Sequence, residues 1–316
     1  MLVWPLPRTV GVEHSGGSRL KRTDAQVAAP QGEWLPTEDD IHFYETHGWW
    51  VSPRVFSDQE LERATEAAFR FYQGPDISLP VSDGYSNWTA AEPPEVARNN
   101  EFVSLQSVGL RALAWSSRLG AIAARLARTD QIRLLDDQLI YKPPHTASSS
   151  AVGWHADHAY WATCTSNNLL TAWIPFHAVD EERGTLVVLD GSHRWADIEH
   201  ARFFSDTDLA RRRDELGKTK REIVEVPLNL DKGQVSFHHC WTLHASHPNR
   251  CSDYRLALAV HLQDGANTYQ EAFTADGSLI HMFDEQLCRR LPDGRPDFAD
   301  PAAFPVLWPA SENAWP

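Results

Sequence analysis

The sequence predicts a mainly β fold with flanking helices, a sandwich or jelly roll and not a parallel βαβ sheet. Beyond Thr129, six short segments rich in Val, Ile, Leu or Trp follow one another, each bounded by Gly, Pro, Asn or Asp. No regular helical repeat separates them, as parallel strands would require. Helical periodicity is instead gathered ahead of them, between Thr37 and Ala127.

Taken in order, residues 1–36 mix Gly, Ser, Pro and charges without periodicity and are expected to form a loosely ordered arm. Thr37-Glu38-Asp39-Asp40 reads as a helix start, with Ile41 and Tyr44 on one face and Gly48 as the stop. Trp49-Trp50-Val51 reads as a short strand. Ser57-Asp58-Gln59-Glu60 is a capping box, in which serine accepts from an amide and glutamate reaches back. It opens a helix to about Tyr72 whose buried face carries Leu61, Ala64, Ala68 and Phe71.

Residues 74–100 are rich in Pro, Gly, Asn and Ser, and a loop this long inside a domain is either functional or a surface excursion. It is a candidate active-site lid. From residue 103 to about 127 the pattern is helical again. Strands are then expected at 132–141, 169–176, 185–189, 223–226, 234–239 and 255–263. An insertion at 206–219 is helical and carries Arg211, Arg212, Arg213 and Lys218, with Lys220 just beyond it. Such a run is either a solvated helix face or a site for an anionic substrate.

Composition limits the function. The chain has 316 residues, 42% hydrophobic and 23% charged, which fits one core with accessory helices and tails. Its 29 basic and 43 acidic residues give a net charge of −14. Nucleic acid and anionic membrane both need a basic footprint, so neither is expected as a partner. A small molecule remains, handled by a monomer or homodimer.

No stretch approaches the ~20 apolar residues of a membrane span, and the N-terminal run broken by Pro5 and Pro7 does not resemble a secretory signal. Cys164, Cys240, Cys251 and Cys288 are scattered without a Cys-x-x-Cys pair, so reduced thiols in a soluble cytoplasmic protein are expected.

The chemistry concentrates in Gly153-Trp154-His155-Ala156-Asp157-His158. In extended backbone, side chains two apart point the same way, so His155 and Asp157 can converge on one ion while His158 points elsewhere. Imidazole and carboxylate suit a first-row metal, and Trp154 and Trp161 flank the motif as candidate pocket walls. A third ligand is expected on a distant strand, where the stretch 237–250 offers His238, His239, His244 and His247. Arg255 opens the apolar run Leu256-Ala257-Leu258-Ala259-Val260. A buried arginine there needs a carboxylate partner, and a guanidinium is the preferred clamp for a carboxylate ligand.

An ordered set of motifs now resembles the phytanoyl-CoA dioxygenase family of iron and 2-oxoglutarate oxygenases. It comprises Lys142-Pro143-Pro144, Trp154-His155-Ala156-Asp157, Leu170-Thr171-Ala172-Trp173-Ile174-Pro175, Gly184 through Gly191-Ser192-His193, and His244-Ala245-Ser246 with Asn249 and Arg255. The resemblance covers residues 37–263, as an oxygenase domain, and leaves a C-terminal extension at 264–316 expected to pack on it.

It implies a double-stranded β-helix with Fe(II) bound by His155, Asp157 and His244. Arg255 and Ser246 would receive the distal carboxylate of 2-oxoglutarate, with Trp173 and Gln138 lining that cosubstrate. Lys142 would pin the turn before the metal strand or touch the ligand. The activity implied is oxidation of an unactivated C–H bond using O₂. Related halogenases replace the carboxylate ligand with a small residue, so Asp157 implies hydroxylation, desaturation, epimerisation or ring formation in place of halogenation. Substrates across the family include fatty acyl-CoA thioesters and secondary metabolites. From the ligand set alone, a zinc hydrolase and a silent jelly-roll binding protein are the rival readings.

Overall fold

Cap chemistry sets the first elements in the computed structural model, which describes residues 33–79, 96–146, 150–196, 198, 201–218 and 222–309. Helix α1 (Glu38–His47) starts at a reciprocal Thr37–Asp40 capping box and stops at Gly48, whose φ of 78° a side chain would strain. Strand β1 (Trp49–Val51) follows, then α2 (Asp58–Phe71) behind the Ser57–Glu60 box.

The helical stretch at 103–127 forms three helices: α3 (Val103–Gln106), α4 (Val108–Ala114) and α5 (Ser117–Leu126). Ser107 and Ser116 break it, both with extended backbone, consistent with serine's preference for caps over helix interiors. A strand unannounced by its polar sequence, β2 (Arg98–Glu101), lies in the second half of the 74–100 loop. Residues 80–95 of that loop, most of the N-terminal arm and Lys220 lie outside the described residues.

Eight strands build the core: β3 (Ile132–Lys142), β4 (Val152–His155), β5 (Leu170–Pro175), β6 (Leu186–Leu189), β7 (Glu225–Pro227), β8 (Ser236–His239), β9 (His244–Ser246) and β10 (Arg255–Asp264). Two antiparallel sheets form, and β11 (Val306–Trp308) joins the larger. That sheet runs β1-β8-β5-β10-β3-β11 with β2 also on β3, and the smaller runs β4-β9-β6-β7. Strands β3, β5, β8 and β10 thus alternate with β4, β6–β7 and β9 between sheets, the winding of a double-stranded β-helix. Strands β4 and β9, at four and three residues, are too short for period-two patterning to reveal.

Both faces of the larger sheet are covered. Leu256, Leu258, Val260 and Leu262 of β10 pack with Ile41, Leu61, Phe71, Leu110 and Ile122 from the helices. The alternate residues Ala257 and Ala259 face Trp173, Leu186 and Val188 between the sheets. This two-sided burial is why β10 reads as an unbroken apolar run. The chain beyond β10 adds Tyr269, Met282, Phe298 and Phe304 to a core shared with Leu135 and Trp161. It also carries the short helix α7 (Asp284–Leu287). Helix α6 (Leu209–Gly217) occupies the insertion.

Candidate metal centre and its comparison with known proteins

Strand pairing brings the distant motif to the local one. His155 at the end of β4 pairs with His244 at the start of β9, and their rings stand 4.1 Å apart. Asp157 is not in extended backbone, as period-two reasoning assumed. It opens a 3-10 turn (Asp157–Ala159), and the turn swings its carboxylate back between the imidazoles. Asp157 Oδ1 lies 3.6 Å from His155 Nε2 and 3.5 Å from His244 Nε2. The ligand atoms of the three residues all fall within 4.8 Å of one another, the only such group among the described residues.

The protonation state suits a cation. Burial lowers the pKa of His155 and holds that of His244 well below the ordinary imidazole value, with His155 adding to the second effect. Burial opposes ionisation of Asp157, but His244 beside it and the hydrogen bond from His238 hold the carboxyl well below its usual range. Each ligand imidazole uses Nδ1 on a backbone carbonyl, His155 on Gly153 (2.8 Å) and His244 on Thr242 (3.0 Å). With Nδ1 protonated, Nε2 offers its lone pair to the centre.

The other histidines separate cleanly. His238 Nε2 contacts Asp157 Oδ2 at 3.2 Å. His239 Nδ1 accepts from the Trp241 amide, and His247 is not among the grouped donors. His158 bonds the Ser166 carbonyl at 3.0 Å and stacks on Trp241. The flanking tryptophans do not wall the pocket. Trp154 is sunk among Val187, Leu189 and Leu243 and donates to the Leu209 carbonyl, while Trp161 packs in the C-terminal core with its ring against His261.

A cavity of ≈ 210 Å³ extends from the centre between the sheets, with Gln138, Lys142, Trp173, Ser246 and Arg255 along it. Register sets them out: Trp173 and Gln138 flank Ala259 from either side, and Lys142 lies opposite Arg255. Arg255 is 1% exposed, places Nη2 3.4 Å from Ser246 Oγ, and sits with its guanidinium carbon 5.5 Å from the Trp173 ring centroid. Its Nε and Nη1, and Trp173 Nε1, have no hydrogen-bond partner among the described residues.

Lys142, also 1% exposed, donates to Ser246 Oγ and to the His247 carbonyl, both at 2.7 Å. Burial pushes Arg255 down to about 9, and burial together with Arg255 lowers Lys142 well below its ordinary value. A buried guanidinium with no bonded carboxylate among the described residues calls for an anionic ligand. Gln138 Nε2 is held by Glu101 Oε1 at 3.0 Å.

Among the cavity residues that escaped sequence reasoning are Thr171, His238 as a contact to Asp157, and His261. Period-two counting from Trp173 and from Arg255 reaches Thr171 and His261, so alternation held that signal. The arginines of α6 are paired with acids: Arg211 and Arg212 with Asp206 and Glu215, Arg213 with Asp214 and Glu225. That is a solvated face. All four cysteines are free.

A double-stranded β-helix with two histidines and an aspartate at one end of the barrel, beside a buried arginine, is the layout of a jelly-roll metalloprotein. The chain belongs to the phytanoyl-CoA dioxygenase (PhyH) family, whose profile matches residues 44–257. It is 29% identical over 136 residues to a "probable alpha-ketoglutarate-dependent hypophosphite dioxygenase" of Stutzerimonas stutzeri, covering 42% of this chain and 45% of that protein. It is 26% identical over 239 residues to the peroxisomal phytanoyl-CoA dioxygenase of Bos taurus, covering 70% of this chain and 67% of the bovine one. The match thus spans about half the length of the first of these relatives. Among solved structures, the non-heme alpha ketoglutarate dependent carbocyclase SnoK from nogalamycin biosynthesis superposes with a TM-score of 0.63 at 24% identity. That alignment covers 86% of this chain and 96% of SnoK, and it shows the shared fold.

Proposed function

We propose that the protein is a non-haem Fe(II), 2-oxoglutarate-dependent oxygenase that oxidises an unactivated C–H bond of a small organic molecule. One observation carries the reading: a facial pair of neutral imidazoles and an ionised carboxylate lies in the same cavity as a buried guanidinium with free N–H groups. Both halves fit what the reading requires. Three facial ligands leave adjacent positions on an octahedral ion, as in non-haem iron oxygenases. The unpartnered Nε and Nη1 of the buried Arg255 guanidinium suit a carboxylate acceptor.

His155, Asp157 and His244 would hold the iron. Arg255 and Ser246 would receive the distal carboxylate of 2-oxoglutarate, with Trp173 and Gln138 along its length. When bound, the iron would activate O₂ as the oxidant, with 2-oxoglutarate as the electron-donating cosubstrate lost as succinate and CO₂. The chain positions and shields. The Gly153 and Thr242 carbonyls fix the imidazole tautomers, Ser246 orients the guanidinium, and the two apolar layers exclude water from the centre.

The substrate class we favour is a secondary metabolite, neutral or cationic, over a fatty acyl-CoA. The acidic chain and the acid-paired arginines of α6 support this choice, since a CoA phosphate needs unpaired cations. We divide the chain into an arm at 1–36, an oxygenase domain at 37–263 and an extension at 264–316, and place it in the cytoplasm, which suits four free thiols. No described helix is long and apolar enough to cross a membrane.

The test is succinate release. Under air, with Fe(II) and a panel of small metabolites, succinate should form only when 2-oxoglutarate is added. A zinc hydrolase would turn over a substrate without 2-oxoglutarate or O₂, and that result would overturn the reading.

A further inference from the structure

Asp157 faces two ways. Its Oδ1 looks toward His155 and His244, and its Oδ2 looks toward the floor of the larger sheet. There, three adjacent strands present one row of polar residues: His238 of β8 opposite Thr171 of β5, and Thr171 opposite His261 of β10. All are buried. Thr171 Oγ1 lies 2.6 Å from Asp157 Oδ2, His238 Nε2 lies 3.2 Å from the same oxygen, and His261 Nδ1 lies 2.8 Å from Thr171 Oγ1.

We propose that Thr171 and His238, backed by His261, form a positioning clamp that occupies Asp157 Oδ2 and leaves Oδ1 as the single oxygen offered to the metal. The inference rests on the metal reading above and adds what that reading does not contain: how the carboxylate is aimed.

Hydrogen-bond direction follows from chemistry. An ionised carboxylate only accepts, so the Thr171 hydroxyl and the His238 Nε2–H both donate to Oδ2. Thr171 then has only a lone pair left for His261, whose Nδ1–H donates to it. That direction accounts for the three shared hydrogen bonds, and rotating the carboxylate would break two of them in a buried setting where lost partners are costly.

The clamp has a structural reason. Asp157 stands on a three-residue turn and not on a strand, so the sheet ladder does not by itself fix its side chain. A row anchored across β8, β5 and β10 does. It also has a chemical reason. An aspartate binding through both oxygens would fill a fourth position on an octahedral ion. With a bidentate keto acid added, no position would be left for a further ligand.

The test uses Co(II) as a spectroscopic probe, titrated anaerobically into the intact protein and into T171V, T171S and H238L. Wild type should bind Co(II) at one site. T171V and H238L should bind it on the order of 10–100-fold more weakly and with altered visible d–d bands, because the freed carboxylate can change its mode. T171S keeps the hydroxyl and should recover affinity and spectrum to near wild type. Should T171V fold poorly, H238L carries the same comparison.

Wild-type affinity and spectrum in both T171V and H238L would overturn the clamp while leaving the metal site standing. Failure of T171S to recover would also overturn it, by assigning Thr171 a packing role only. Failure of wild type to bind Co(II) would overturn the metal reading and the clamp with it.

Discussion

Arg255 and Ser246 meet inside the barrel, guanidinium Nη2 to hydroxyl Oγ at 3.4 Å, while Lys142 takes the same hydroxyl from the other side at 2.7 Å. Ser246 thus accepts from both buried basic side chains, and the Nε and Nη1 nitrogens of Arg255 have no protein partner among the described residues. A folded protein retains so costly an arrangement only if a ligand completes it.

The R255M variant should therefore separate stability from function. Removing an unpaired buried charge should stabilise the ligand-free protein, by on the order of 1 kcal/mol. Losing a charge-assisted contact should weaken 2-oxoglutarate binding about 100-fold, corresponding to about 2.8 kcal/mol at 1.4 kcal/mol per decade. Thermal melts and equilibrium 2-oxoglutarate titrations read the two effects. A lower Tm with unchanged affinity would contradict this assignment.

Gly153 should tolerate no side chain. A Cβ there would collide with the Phe203 carbonyl oxygen and lie 2.5 Å from that of Asp206, and both are backbone atoms that cannot swing aside. Gly153 is two residues from His155 and supplies the carbonyl that orients it. G153A should lose about 1–3 kcal/mol of stability from overpacking and should also weaken metal binding, as urea unfolding with and without metal would show. A variant as stable as wild type would contradict the close approach.

The metal-free protein should lose stability in mild acid. Burial pushes His177 to about 4, His239 to about 3 and His261 to about 4, and it also lowers His155, His158, His193, His244 and His247. Unfolded, each takes up a proton near pH 6.5, so stability is fully present above that value and lost as pH falls toward the folded values. Each histidine contributes about 1.4 kcal/mol per pH unit within its window.

Asp137, raised to about 6, and Asp136, raised further by burial and nearby acids, act in the opposite sense. The histidines outnumber them. The urea midpoint should fall between pH 7.5 and 5.5, and a flat or rising midpoint would contradict the burial of these imidazoles.

Charge reversal at the insertion should leave catalysis untouched. In α6, the exposed Arg211 and Arg213 pair with acids at the surface, and such pairs contribute little. R211E/R213E should keep kcat/KM within about twofold on any substrate found, since no substrate contact is lost. A tenfold rise in KM confined to CoA thioesters would place a phosphate site there.

The sequence disclosed most where its signals were local or strictly periodic. The Thr37 and Ser57 caps are chemical statements that neighbours alone decide, and both formed. The apolar runs of β5 and β10 were legible because both faces are buried. What stayed hidden was set by pairing across the chain. Strands β4 and β9 are too short to show a period, yet their pairing joins His155 to His244. Asp157 was placed with the right partners for an incomplete reason, since a turn and not strand alternation delivers it. His238 competed with His244 for the ligand role, and only the three-dimensional register shows it reaching the other oxygen of Asp157.

The central claim is tested most directly by anaerobic addition of Fe(II) and then 2-oxoglutarate to the intact protein and to H155A/H244A, followed by visible absorption. A metal-to-ligand charge-transfer band should saturate at one equivalent in wild type and be missing in H155A/H244A. A wild-type protein that takes up both and shows no band, or an H155A/H244A protein that shows the same one, would contradict the claim.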